Sequence, residues 1–157
     1  LEAGGRRNPG GWIPHSRYVA MAAAAIAKEH PRLDEEVAMI MGLLHDIGRQ
    51  EGRTGIRHII DGHDFMKASG YDAIARICVT HSFPVPDHRA ASSSWDVCTA
   101  EQIAFVATYL QNIEYDEYDR LLQLCDALAM AEGFTLLEKR MLDVVYRYGP
   151  NEYTVDK

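Results

Sequence analysis

The sequence predicts an all-α fold, in which a single domain of about seven helices surrounds one central, buried helix. Apolar residues recur at helical spacing along most of the chain, and no region shows the alternation that is typical of strands. Residues 37–44 are apolar on every side, as expected for a helix in the middle of a domain. The 157 residues, predicted to form one domain over 1–157, suffice to bury a sizeable core.

The first elements are an irregular arm and a helix that carries a histidine at its start. Residues 1–14 contain four glycines and two prolines, which predicts the arm. Ser16 is the expected N-cap of an alanine-rich helix that ends near His30. His15 therefore lies at the mouth of this helix.

The second helix is predicted to begin after Asp34 and to deliver His45 and Asp46, with Gly48 ending it. An ionised carboxylate in apolar surroundings costs several kcal/mol unless it is compensated. Asp46 must therefore be salt-bridged, protonated or bound to metal, and the adjacent imidazole favours metal. A satisfied His-Asp pair inside the bundle is the alternative. Arg49, in the basic turn that follows, is a candidate for an anion contact.

Two further helices bring histidines towards this pair. The third, over residues 56–69, carries His58 and Gly62 on one face, and a glycine inside a helix predicts close packing there. The fourth, over residues 71–80, ends at His81.

Residues 82–99 form the one long irregular stretch, which is rich in proline, serine and aspartate. Loops of this length are often lids or binding loops, so Phe83 and Trp95 are candidates to flank a ligand. The alternative is a solvent loop that these aromatic side chains hold in place.

The remaining residues predict helices over 100–111, 114–131 and 134–148, followed by a tail at 150–157. Asp126 is the lone charge in an apolar run of the second helix, so the burial argument made for Asp46 applies again. The last helix is expected to pack into the core. Its charged residues are interpreted as a solvated or salt-bridged face: Glu138, Lys139, Arg140, Asp143 and Arg147.

Composition narrows the function classes. A net charge of −7 disfavours binding of long nucleic acids but allows a local positive site for a small phosphorylated ligand. Cys78, Cys98 and Cys125 form no CxxC pair, so a disulfide framework is not expected and a reducing cytoplasm is the simplest location. No leader and no run of roughly 20 apolar residues is found, so no membrane partner is expected.

The order His15, His45-Asp46, His58, His81, Asp126 resembles the HD superfamily of metal-dependent phosphohydrolases, and GLLHDIGR resembles its signature. The segments HSRYVAMAAAAIA, RHIIDG, THS and LCDALA extend the likeness over about residues 12–131. The closest resemblance is to the branch with two metals, which includes diadenosine-polyphosphate hydrolases and cyclic-dinucleotide phosphodiesterases. The HHE and GYP motifs of the latter are missing, which argues against cyclic-dinucleotide cleavage.

The resemblance implies one or two divalent transition-metal ions. His15, His45, Asp46 and Asp126 would hold one ion, and Asp46 would bridge to a second ion that His58 and His81 bind. Independently of the resemblance, imidazoles with carboxylates suit Fe, Mn, Zn, Co or Ni better than Ca or Mg.

The implied function is hydrolysis of a phosphomonoester or phosphoanhydride, in a nucleotide or dinucleoside polyphosphate, by a metal-activated water. Asp46 would orient the nucleophile and Arg49 would neutralise charge on the phosphoryl oxygens. Asp61, one turn after His58, is expected to be its partner or a proton acceptor. A homodimer is compatible with this interpretation. A nucleotide-binding regulatory module without turnover and a diiron oxygenase of the same fold are the alternatives.

Overall fold

The computed structural model describes residues 1–91, 93–150 and 152–155, and these residues form a helical bundle. None of the helices in these ranges has the length and apolar character needed to cross a bilayer. Short 3₁₀ turns at Ile47–Glu51, Gly55–Arg57 and His88–Ala90 join some of the helices. One antiparallel hairpin pairs β1 (Ala129–Met130) with β2 (Gly133–Phe134). The α-helices are α1 (Glu2–Arg7), α2 (Trp12–Glu29), α3 (Glu35–Leu44), α4 (His58–Ala68), α5 (Asp72–Thr80), α6 (Ala100–Gln111), α7 (Glu117–Leu128), α8 (Leu137–Tyr148) and α9 (Glu152–Val155). The predicted all-α class is confirmed.

Small residues let α2 and α3 pack closely in the centre of the bundle. A side chain at Gly42 would place its Cβ 2.6 Å from the Cα of Ala20. The buried apolar side chains around this contact come from α2, α3, α5, α7 and β1. Asp34 caps α3 as predicted, because its side chain accepts a hydrogen bond from the backbone N–H of Val37 at 2.9 Å. This packing fixes the direction in which the chain leaves α3.

The chain leaves α3 through a turn that presses against the start of α4. The helix ends at Leu44, so the prediction that Gly48 ends it was wrong. Gly48 instead allows close packing of the backbone, since a Cβ there would lie 2.0 Å from the carbonyl oxygen of His58. The close packing predicted for Gly62 is confirmed: a Cβ there would lie 3.1 Å from Sγ of Cys78. The turn after α3 and the start of α4 are therefore in direct contact.

The N-terminal region is more regular than predicted. Residues 1–14 were expected to be an irregular arm, but they contain α1 and the start of α2. Ser16 is not an N-cap, because its buried hydroxyl donates to the Trp12 carbonyl within α2. Packing overrides the weak helix propensity of glycine here, since a Cβ at Gly4 would lie 3.0 Å from Cβ of Gln50. His15 consequently belongs to the first turn of α2.

Two helices expected in the core have exposed faces. In α3, Val37, Met39 and Ile40 are about two-fifths exposed, so this helix is not buried on every side. In α8 no described residue is buried, and Leu142 and Tyr146 are 72% and 93% exposed. α7 ends at Leu128 rather than continuing to 131, because the chain enters the hairpin. The partly buried face of α8 is mixed in character, with the charged Arg140 and Asp143 beside the apolar Val144 and Val145.

Three predicted helices, α4, α5 and α6, agree with the structure within two residues, whereas α7 and α8 each begin three residues later than predicted. Residues 82–99 contain only a short 3₁₀ turn within the part of this loop that the structure describes. In the predicted tail, Glu152–Val155 forms α9, whereas residues 151, 156 and 157 lie outside the described residues.

Candidate metal centre

The six predicted ligands come from five separate helices and meet at one place. Four of them lie at or just beyond helix ends, where close contact between elements directs them inwards. His15 lies in the first turn of α2, His45 and Asp46 follow α3, His58 begins α4, His81 follows α5, and Asp126 lies in the last turn of α7. The structure therefore joins residues that are up to 111 positions apart in the chain.

The carboxylate of Asp46 lies at the centre of this cluster. Its Oδ1 is 3.1 Å from Nε2 of His58 and 3.6 Å from Nε2 of His81. Its Oδ2 is 3.8 Å from Nε2 of His45 and 2.5 Å from Nε of Arg49. One oxygen thus faces the α4 and α5 side, and the other faces the α3 side.

The carboxylate of Asp126 forms the second acidic part. Its Oδ1 is 2.8 Å from Nε2 of His15 and 3.7 Å from Nε2 of His45. Two overlapping groups have the spacing needed to hold an ion: His15, His45 and Asp126, and His45, Asp46 and His81. His45 belongs to both groups.

Backbone carbonyl groups orient three of the four imidazoles. Nδ1 of His45 lies 2.7 Å from the Gly42 carbonyl oxygen, and Nδ1 of His58 lies 2.6 Å from that of Gly55. Nδ1 of His81 lies 3.0 Å from the carbonyl oxygen of Ile77, and its Nε2 lies 3.0 Å from the Ser82 hydroxyl. A carbonyl only accepts hydrogen bonds, so each Nδ1 carries the proton. Each Nε2 then turns a lone pair towards the cluster, as in histidines that bind metal.

Two buried atoms at the cluster have no hydrogen-bond partner among the described residues: Nε2 of His45 and Oδ1 of Asp46. Their residues are only 1% and 3% exposed, so water cannot readily compensate them. A lone pair of His58 facing a carboxylate oxygen is repulsive unless a cation lies between them. The donor set and these unsatisfied atoms therefore fit a divalent metal ion.

The electrostatics keep both carboxylates charged. Burial alone would raise the pKa of Asp46, but Arg49, His45 and His58 outweigh it and hold the pKa well below its usual range. Burial is likewise outweighed at Asp126, where His15 and His45 hold the pKa well below its usual range. Two ionised oxygen ligands are thus available near neutral pH.

The imidazoles respond in different ways. Burial, reinforced by nearby His45, lowers the pKa of His81 to about 3, so this ring is neutral and can act as a ligand. At His45 burial also acts to lower the pKa, but the carboxylates of Asp46 and Asp126 outweigh it, so the pKa is raised. The two carboxylates therefore favour positive charge at His45.

Arg49 and Asp61, both expected to take part in the chemistry, lie in different places. Arg49 pairs with Asp46, lines the adjoining cavity and brings Nη2 to 3.3 Å from Nε2 of His58. Asp61 pairs instead with Arg57, with 3.2 Å between Oδ2 and Nε. The Gly55 carbonyl takes the position beside Nδ1 of His58 that Asp61 was expected to fill. The structure therefore does not support Asp61 as partner of His58.

The cluster opens into a cavity of about 590 Å³. The loop over residues 82–99 contributes Ser82, Pro84, Ala90 and Ser93 to the cavity wall. Phe83 is fully buried and stacks on Trp95 with 6.3 Å between ring centroids. The alternative reading of the aromatics is thus favoured: these two rings hold the loop in place.

Sequence reasoning missed the contribution of α8 to this cavity. Arg140, Asp143, Arg147 and Tyr148 line it, although the charged ones were interpreted as a solvated face. The expected pairing of Asp143 with Arg147 is present, with 2.6 Å between Oδ2 and Nη2. The signal was their spacing of three and four residues, which places Arg140, Asp143 and Arg147 on one face of a helix.

Comparison with known proteins places these observations in a family. The family model of the HD domain matches residues 12–131, a segment that holds all six clustered side chains. The chain is 46% identical over 55 residues to Ribonuclease Y of Chlorobium phaeovibrioides (strain DSM 265 / 1930). That alignment covers 35% of this chain and 10% of the relative, so the chain matches only a small part of the relative's length. No solved structure matches the chain.

Proposed function

The chain belongs to the HD domain family of metal-dependent phosphohydrolases, and from this premise we propose that it hydrolyses a small phosphorylated molecule. The bond cleaved is a phosphomonoester or phosphoanhydride, in a nucleotide or a dinucleoside polyphosphate. One observation carries the proposal: oriented imidazoles and two ionised carboxylates converge on a cavity and leave His45 Nε2 and Asp46 Oδ1 unsatisfied.

We propose two groups of metal ligands that share Asp46. His15, His45, Asp46 and Asp126 would hold one divalent ion, and Asp46 would share a second ion with His58 and His81. Imidazole and carboxylate ligands favour Fe, Mn, Zn, Co or Ni. Bound ions of this kind polarise phosphoryl oxygens and lower the pKa of a coordinated water.

The protein's own groups supply orientation and charge. The ionised carboxylate of Asp46 would orient the attacking water, because this side chain lies between the two groups of imidazoles. Arg49 lines the cavity with its guanidinium already held by Asp46, so it would contact a phosphoryl oxygen and neutralise the charge that develops there.

The cavity supports a small substrate. A volume of about 590 Å³ is within the range of sites that bind small molecules. The net charge of −7 gives the protein no broad attraction for a long phosphate backbone. The substrate would therefore be attracted by the bound metal ions together with Arg49 and not by the protein as a whole.

The proposal is tested by metal analysis of protein purified without chelators, followed by a hydrolysis screen with added Mn²⁺ or Fe²⁺. Nucleotides are assayed by phosphate release, and dinucleoside polyphosphates by chromatography of the nucleotides they yield, because their cleavage releases no free phosphate. His45→Ala should lose both metal and phosphate release, whereas His30→Ala, outside the cluster, should keep both. Phosphate release by a variant that binds no metal would contradict the proposal.

The same screen addresses the competing functions. The relative is named a ribonuclease, so a short RNA belongs in the screen, and cleavage of RNA alone would replace the proposed substrate. Tight nucleotide binding without phosphate release would indicate a regulatory module, and oxygen uptake by iron-loaded protein would indicate an oxygenase. The homodimer and the cytoplasmic location stay predictions.

A further inference from the structure

The part of the cavity wall that α8 forms lies outside the segment of the chain that carries the metal cluster. The six clustered side chains lie within residues 12–131, which match the HD domain, whereas α8 (Leu137–Tyr148) lies beyond them. Residues outside the shared part of a family are well placed to determine which substrate the shared chemistry acts on. The cationic side chains of α8 therefore bear on specificity.

Two arginines on this wall share one carboxylate. Asp143 accepts a hydrogen bond from Nε of Arg147 through Oδ1 at 3.0 Å, and its Oδ2 forms an ion pair with Nη2 of Arg147 at 2.6 Å. Nη1 of Arg140 lies 3.8 Å from Asp143 and 3.3 Å from Sδ of Met130. Two guanidinium groups against one carboxylate leave an excess of one positive charge. The side chains of Arg140 and Arg147 are 21% and 48% exposed, so a ligand in the cavity can reach them.

We propose that Arg140 and Arg147 bind a second phosphoryl group of the substrate, next to the one that is hydrolysed. Asp143 is the positioning residue that keeps the two guanidinium groups on the cavity side of α8. This inference rests on the proposed function, in which the metal cluster and Arg49 hold the reacting phosphoryl group. The substrate class that fits has at least two linked phosphoryl groups, and monophosphates bind more weakly. Guanidinium groups suit this role because they bind phosphate oxygens in pairs.

The test compares two ligands that differ by one phosphorus group. AMP and α,β-methylene-ADP, whose bridge cannot be hydrolysed, are titrated calorimetrically into Mn²⁺-loaded protein. The wild type should bind the second ligand at least about tenfold more tightly, the effect of one hydrogen bond to a charged group. Arg147→Gln and Arg140→Gln should each remove most of this preference and change AMP affinity by less than about twofold.

Two further variants separate a specific site from loss of charge. Lys139→Gln removes a positive charge from the same helix at an exposed position outside the cavity, and it should leave the preference unchanged. Arg147→Lys keeps the charge without the paired donors and should restore part of the preference. Equal losses in the Lys139 and Arg147 variants would overturn the inference, as would a wild type that binds both ligands equally or neither.

The result of this binding test does not depend on whether the protein hydrolyses its ligand. A wild type that prefers α,β-methylene-ADP through Arg140 and Arg147, yet hydrolyses no nucleotide and no dinucleoside polyphosphate, would refute the proposed hydrolysis and retain the second phosphoryl site. Phosphate release together with a ligand preference that neither arginine variant changes would support the proposed hydrolysis and refute the second phosphoryl site.

Discussion

Two buried acidic centres in this molecule are built in opposite ways. Asp119 in α7 is fully buried, and donors from the protein surround its carboxylate. Nε of Arg76 lies 3.2 and 3.1 Å from its two oxygens, the Thr80 hydroxyl lies at 2.7 Å, and the backbone N–H of Asp116 lies at 2.9 Å. Asp46 is buried to a similar degree, but most of the side chains around it present lone pairs.

The difference shows that burial of a carboxylate does not by itself indicate a metal site. Asp119 links α5 to α7 and helps to cap α7, so its charge is used within the fold. Asp46 has Arg49 as a cationic partner and leaves Oδ1 without a donor among the described residues. The partners of an acid, and whether they donate or accept, distinguish a structural centre from a functional one.

The largest effect that would test this distinction is loss of activity. Asp46→Ala should bind no stoichiometric metal and keep less than about 1% of wild-type hydrolysis, since loss of a partner beyond the ligands alone costs about 10–100-fold. Asp119→Asn should keep full metal content in the folded fraction. Metal analysis together with phosphate release measures both. A folded Asp119 variant that binds no metal would contradict the distinction between a structural centre at Asp119 and a metal centre at Asp46.

The stability of the metal-free protein, unlike its activity, should depend strongly on Asp119. Asp119→Asn should lower the free energy of unfolding of the metal-free protein by about 3 kcal/mol, the lower end for a broken buried ion pair, because Arg76 is partly exposed. Urea denaturation measures this change. Asp64→Asn, at an exposed carboxylate on α4, serves as the control and should change stability by less than about 0.5 kcal/mol. Equal effects of the two variants would show that Asp119 is not a structural centre.

Metal binding should stabilise the fold through one centre only. At a free Mn²⁺ concentration about 100 times Kd, the wild type should gain about 2.7 kcal/mol, or about 5–10 °C in melting temperature. Asp119→Asn should melt at a lower temperature and show the same gain, and Asp126→Asn should show none. Thermal unfolding with and without Mn²⁺ provides the measurement. A gain retained by the Asp126 variant would place the ion elsewhere.

The same contrast explains which parts of the molecule could be predicted. The clustered ligands follow from local patterns, because helix ends and lone charges in apolar runs are visible in the sequence around Asp46 and Asp126. Two of the donors that satisfy Asp119, the Thr80 hydroxyl and the Arg76 guanidinium, come from another helix, 39 and 43 residues away in the sequence. The number and kind of partners is a tertiary property, and hydrophobic periodicity does not report it.

Exposed apolar faces were the other source of error. The stripes of α3 and α8 have the helical period of core helices, yet Ile40 and Leu137 are 39% and 41% exposed. Apolar residues contribute much of any folded protein's surface, so a stripe does not say which neighbour covers it. The hairpin after α7, with Gly133 at a φ of 145°, turns the chain, and α8 then lines the cavity with Arg140, Asp143 and Arg147 as well as with Met141 and Val144. This turn was not predicted, and the position of Arg147 at the cavity was therefore missed.

The smallest effect concerns an acid that belongs to neither centre. Asp61 lies one turn after His58, so spacing alone predicted a role in the chemistry, but its carboxylate pairs with Arg57, and both side chains are partly exposed. Asp61→Asn should therefore change the free energy of unfolding by no more than about 0.5 kcal/mol, as expected for a helical ion pair, and leave metal content unchanged. Urea denaturation and metal analysis measure both quantities. Loss of metal in this variant would show that Asp61 supports His58 after all, and that the Gly55 carbonyl is not sufficient to orient that imidazole.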